Sequence, residues 1–139
     1  MSEHVCIQIF QECTGEHSHP YPQILVPLQE TMRIRAEETE YEVKLQELFF
    51  IPPGMNHRCN YRGRLLVLNL PLEVLDNREV AALCYPTVVS MHGQITQLVE
   101  LIQSELRQNP DSKSVRHLYS YLYSKLCENC AAPSIRSPV

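Results

Sequence analysis

The sequence predicts a mainly β fold, a small β-barrel or double-sheeted sandwich over residues 1–71, with a connector and an antiparallel α-helical hairpin over 72–130. Three observations carry that expectation. Short runs of alternating apolar and polar side chains recur through the first half, with turn residues between them. One run, "QILVPL", is apolar on both faces, as a strand covered on two sides would be. After Pro71 the apolar period changes to that of amphipathic helices.

The elements follow in chain order. "HVCIQIF" alternates and puts Val5, Ile7 and Ile9 on one face. "QILVPL" comes next, and "TMRIRAE" returns to alternation, with Met32, Ile34 and Ala36 inward and Arg33 and Arg35 outward. Across the polar turn "EETE", the run "EYEVKLQ" sets Tyr41, Val43 and Leu45 inward against Glu42, Lys44 and Gln46. "LFFI", the turn "PPGMN", "HRCNY", the turn "RG" and "RLLVLNL" complete the β half.

"LEVLDNREVAALCYPTVVS" reads as a mixed connector with a short helical piece around residues 77–83. From Gln94 onward, Ile95, Leu98, Val99, Ile102 and Leu106 form the i, i+3, i+4 stripe of a helix. "RQNPDS" stops it and starts another, with Asn109 as N-cap, Pro110 at the first helical position and Asp111 in the first turn. The second helix carries Val115, Leu118, Tyr119, Leu122, Tyr123 and Leu126 on one face, and the short loop makes the pair antiparallel. Residues 131–139, "AAPSIRSPV", have two prolines and no pattern, and read as a linker or tail.

With 139 residues the chain has the length of one domain, and with 12 basic against 16 acidic side chains its formal charge is -4. No Lys or Arg stripe runs along it, so this chain alone is not expected to grip nucleic-acid phosphates. The start, "MSEHVCIQIF", lacks the basic flank and the apolar length of a signal peptide, and "LLVLNLPL" is far too short to span a membrane. A soluble, cytoplasmic protein without membrane contacts is expected. The six cysteines are irregularly spaced and are expected as reduced thiols, and Cys127 and Cys130 form a C-x2-C without a second pair to complete a zinc site.

The chemistry concentrates around "GEHSHPYPQ" and "IPPGMNH". In an extended chain His17 and His19 point the same way, and Gln23 shares their parity. His57 follows a Pro-Gly turn at the head of a later strand. Imidazoles and an amide from adjacent strands can hold a divalent transition metal, Zn, Ni or Fe. They can equally hydrogen-bond one another, water or an organic ligand. Tyr21, Leu25, Tyr41, Cys59 and Tyr61 are the inward candidates around them, as ligand contacts or as ordinary core. His4, His92 and His117 have no partner at useful spacing.

These two segments resemble the paired motifs of the cupin superfamily: His-x-His followed four residues later by Glu, and Pro-x-Gly-x-x-His. Here they read His17, His19 and Gln23, then Pro52, Gly54 and His57. The family's Glu is Gln23, its further glycines fall on Glu30 and Gln46, and its closing Asn falls on Tyr61. A small barrel followed by a helix pair is similar, over nearly the whole chain, to the N-terminal sensing domain of AraC-type transcription regulators. That resemblance implies a small effector bound in the barrel and homodimerisation through the hairpin. It also implies DNA contacts only through a C-terminal domain absent from this chain. Helix residues for the dimer role are Ile95, Leu98, Leu101, Ile102, Leu118, Tyr121 and Leu122, of which Leu101 and Tyr121 suit a symmetric partner. The other reading is a small metal-dependent cupin enzyme, an oxygenase, isomerase or lyase, with the ion as Lewis acid or redox centre and only Glu16, Tyr21 and Tyr61 nearby as acid or base.

Overall fold

The structure is a computed structural model and describes residues 5–10, 16, 18–61, 63–70 and 85–136, with side chains described for 16, 18–61, 63–70 and 85–128. The described residues form eight strands: β1 (Val5–Phe10), β2 (Gln23–Pro27), β3 (Met32–Ala36), β4 (Thr39–Val43), β5 (Glu47–Ile51), β6 (His57–Asn60), β7 (Gly63–Asn69) and β8 (Thr87–Ser90). Two helices follow, α1 (Gln94–Gln108) and α2 (Ser114–Arg136). The strands make a five-stranded sheet of order β1-β7-β2-β5-β8 and a three-stranded sheet of order β4-β3-β6, with every pairing antiparallel. Among the described residues no strand pairing joins the two sheets, so the sandwich forms and the closed barrel does not.

The layers follow from the period of two. Along β2, Ile24 and Val26 join an apolar cluster with the helices, while Leu25 joins the cluster between the sheets. β5 divides Leu48 and Phe50 from Phe49 and Ile51 in the same way, and β7 divides Leu66 and Leu68 from Leu65 and Val67. The larger sheet is thus the middle layer, covered on one face by the smaller sheet and on the other by the hairpin. That is why "QILVP" is buried at every position, whereas β3 alternates, with Met32, Ile34 and Ala36 inside and Arg33 and Arg35 in solvent.

Three expectations are corrected. Leu45 does not face inward: β4 ends at Val43, and Lys44 and Glu47 close a tight turn in which the Glu47 amide donates to the Lys44 carbonyl at 3.0 Å. Gln46 takes φ 73 in that turn, which breaks the alternation and leaves Leu45 45% exposed. Part of the expected connector is β8, whose "TVVS" is too short for a visible period and pairs only with β5. The helical piece expected over 77–83 lies outside the described residues. Asn109 does not cap the second helix; it ends α1, its amide donating to the Glu105 carbonyl at 2.9 Å. Its side-chain oxygen accepts the Asp111 amide at 3.1 Å, so Pro110 and Asp111 form the turn, and Ser112 Oγ accepts the Ser114 amide at the head of α2.

The stripe read for α1 is the buried one, Ile95, Leu98, Val99, Ile102 and Leu106. On α2, Val115, Tyr119, Leu122, Tyr123 and Leu126 are buried, and Leu118 packs partly against them. The second helix runs on to Arg136, beyond residue 131 where the sequence places a linker or tail. Among the described residues no helix is long and apolar enough to cross a membrane.

Candidate functional site

The two histidine-bearing segments meet at one end of the sandwich. The Gly54 amide donates to the His19 carbonyl at 2.7 Å, and the Leu70 amide donates to the Pro22 carbonyl at 3.0 Å, which fixes the approach to β2 against the "PPGMN" turn and the end of β7. Gly54 takes φ 76, a conformation that L side chains adopt only with strain, so the glycine lets this turn form.

His57 opens β6 and is buried, its Nδ1 3.1 Å from the Met55 carbonyl oxygen. A carbonyl only accepts, so Nδ1 carries a hydrogen. The His19 ring lies 5.4 Å from that of His57, tilted by 45°. On its other side His19 stacks on Tyr21 at 5.1 Å and 15°, with the phenol oxygen 3.4 Å from His19 Nδ1. Gln23, 7% exposed, lies on the intersheet face of β2, and its Nε2 donates to Asn69 Oδ1 at 2.6 Å. Asn69 is directly opposite Gln23 in the β2–β7 register.

His19 is brought against both Tyr21 and His57 by these ring contacts, Gln23 is held by Asn69, and His17 lies outside the described residues. Leu25 and Cys59 sit deeper, in the packed intersheet cluster. Tyr41 is half-buried and tilts against Phe49 at 5.0 Å. Asn69 was missed. It shares the inward parity of Leu65 and Val67, and a polar side chain closing an apolar inward row was the available signal. Imidazole nitrogen and amide oxygen are, as residue types, both ligands for Zn, Ni or Fe. Among the described residues no three of His, Cys, Asp or Glu come together.

Residues 11–123 match the family described as AraC-like ligand binding domain. The chain belongs to that family. A curated relative, the uncharacterized HTH-type transcriptional regulator YobQ of Bacillus subtilis (strain 168), is 26% identical over 130 residues, covering 79% of this chain and 54% of the relative. The crystal structure of the AraC-like transcriptional activator CuxR is similar at a TM-score of 0.59 and 16% identity, over 92% of this chain and 51% of that one. Apo ToxT K231A from Vibrio cholerae strain SCE256 is similar at 0.60 and 9%, over 90% and 55%. At those identities the likeness is one of fold. The chain spans about half the length of these relatives.

Two groups of expected site residues hold other places in this AraC-like domain. The Tyr61 hydroxyl accepts the Gln29 and Glu30 amides at 3.2 and 3.3 Å and donates to the Arg64 carbonyl at 3.0 Å, pinning the turn after β2 to the start of β7. Beside it Gly63 has φ 122, and a Cβ there would stand 2.8 Å from Gln29 Oε1. Tyr61→Phe keeps the ring and is expected to cost about 1–2 kcal/mol, read as a lower urea midpoint at unchanged slope. An unchanged midpoint would mean that water replaces the hydroxyl at no cost. On the hairpin, Ile95, Leu98, Ile102 and Leu122 are buried under the helices with Leu118 beside them, whereas Leu101 and Tyr121 are 46% and 49% exposed. Lys125 Nζ lies 6.0 Å from the Tyr121 ring centroid and 3.3 Å from Glu128 Oε1.

Proposed function

We propose that this AraC-like domain is the ligand-sensing and dimerisation part of a cytoplasmic transcription regulator. A small polar effector binds at the open end of the sandwich, and the hairpin joins two copies. The observation that supports the reading is the meeting of the His19, Tyr21 and His57 rings, with the buried Gln23–Asn69 pair on the intersheet face, inside a chain whose residues 11–123 match this family. These side chains supply the stacked rings of His19 and Tyr21, a buried imidazole held at Nδ1 by a backbone carbonyl, and an amide oriented by Asn69. No carboxylate, lysine or arginine is among these four, so they suit a hydroxyl- or amide-bearing molecule held by several short hydrogen bonds. DNA contacts belong to a separate segment, in keeping with the charge of -4 on this chain.

The test is a thermal-shift screen of small polar organic compounds, followed by imidazole proton spectra of the compounds that stabilise the protein. The expected result is that such a compound moves the His19 and His57 ring signals, and that Gln23→Leu removes the stabilisation. Stabilising compounds that leave both rings unmoved in every case would place the effector elsewhere and sink the assignment.

His19, His57 and Gln23 are the residues that would hold a divalent transition ion. The ion would add positive charge for an anionic effector group. Metal analysis of protein purified without a histidine tag tests this part by itself. About one equivalent of Zn, Ni or Fe, lost in His57→Ala, supports it. No metal on purification and no uptake on addition would leave the imidazoles as hydrogen-bonding groups.

A further inference from the structure

On the far side of the larger sheet, at the end remote from the histidines, a groove of about 200 Å³ opens between the sheet and α1. Its apolar walls are Val26, Pro27, Leu28, Leu45, Met91 and Val99. They come from the end of β2, the β4–β5 turn, the residue after β8, and α1. Leu45 is here because the turn breaks the alternation of β4 and holds the side chain out over the helix. Leu28 and Met91 already pack partly against the core cluster, so the groove is an extension of that core left open to solvent.

The rim is polar, with Gln46, Thr96 and Gln103 uncharged. Among the described lining residues Glu100 is the one that ionises, and neither ion pair among the described residues uses it. An apolar floor with a single carboxylate at its edge is complementary to one kind of molecule. We propose that this groove is a second ligand site, for a small organic cation with a compact apolar body. The body lies on Leu28, Leu45, Met91 and Val99, and the ammonium group faces Glu100 with the amide oxygens of Gln46 and Gln103 in reach of its remaining hydrogens. The volume is below the roughly 300 Å³ at which pockets for drug-sized ligands begin, which restricts the body to about one six-membered ring or a short branched chain. The site is independent of the effector reading: it lies on the other face of the sheet and shares none of its residues with the mouth.

The probes are cyclohexylmethylamine and its uncharged counterpart cyclohexylmethanol, titrated into the full chain and followed by methyl proton–carbon spectra, with Met91→Leu assigning the Met91 signal. The expected result is a saturable shift of the Met91 methyl by the amine in the millimolar range, with unmoved His57 ring signals. The alcohol is expected to bind about threefold more weakly, the scale of one exposed ion pair. Glu100→Gln, at an exposed helical position, is expected to bring the amine down to the alcohol. Equal binding of amine and alcohol to the unmodified chain would overturn the proposal. So would an unmoved Met91 methyl, or amine binding that Glu100→Gln leaves unchanged.

Discussion

Phe50→Ala is expected to destabilise the domain by about 3–5 kcal/mol, a large share of the roughly 5–15 kcal/mol that holds a domain folded. Phe50 lies fully buried on the helix side of β5, and its ring meets that of Tyr123 on α2 at 5.6 Å and 39°. Truncation removes the transfer energy of a ring and leaves a cavity between two layers that are each held by other contacts, so collapse around it is incomplete. Urea unfolding of the unmodified and substituted chains measures the loss. A change below about 1 kcal/mol would show that the hairpin does not seal the larger sheet as a packed layer.

The second large effect concerns assembly. Leu101→Glu with Tyr121→Glu is expected to weaken self-association by about a hundredfold or more and to leave a folded monomer. Both residues are about half exposed on the hairpin, so the fold itself asks little of them. In a symmetric interface each is present twice, and the double variant would bring four carboxylates into a patch that must lose its water. Sedimentation velocity over a range of concentrations, with far-ultraviolet circular dichroism as the folding control, reads the outcome. An unmodified chain that stays monomeric throughout, or a double variant that still dimerises, removes the dimerisation proposal.

Much of the architecture was legible because hydrophobic periods report burial directly. β3 shows the alternation of a half-covered strand, β2 the continuous run of a strand covered twice, and α1 the stripe that is buried in full. What stayed hidden was decided by backbone geometry or by pairing. Leu45 has the parity of an inward residue, and only the turn at Gln46 with its positive φ turns it away. β8 is a strand because β5 offers it an edge, and four residues carry no period of their own. Asn109 satisfies the rule for an N-cap as well as it satisfies its actual place at the end of α1, and the choice depends on where the helix pair packs. At the site, the two motifs anticipated that His19 and His57 meet, since the Pro-Gly turn ahead of His57 is a local fact. The partnership of Gln23 with Asn69 spans 46 positions in sequence, and only the register of β2 on β7 creates it.

The strand order of the larger sheet also bears on how the chain acquires its shape during synthesis. β1 is made first, yet its neighbour is β7, which reaches it only after all the strands of the smaller sheet have been made. β3 and β4, in contrast, are adjacent and can close a hairpin as soon as they leave the ribosome. Until residues 63–69 emerge, both β1 and the doubly apolar β2 lack the strand that lies between them. The apolar faces of β1 and β2 therefore stay uncovered through the first half of synthesis, and β7 then locks the sheet by inserting between them, a high-contact-order step expected to slow folding, before β8 adds at the edge.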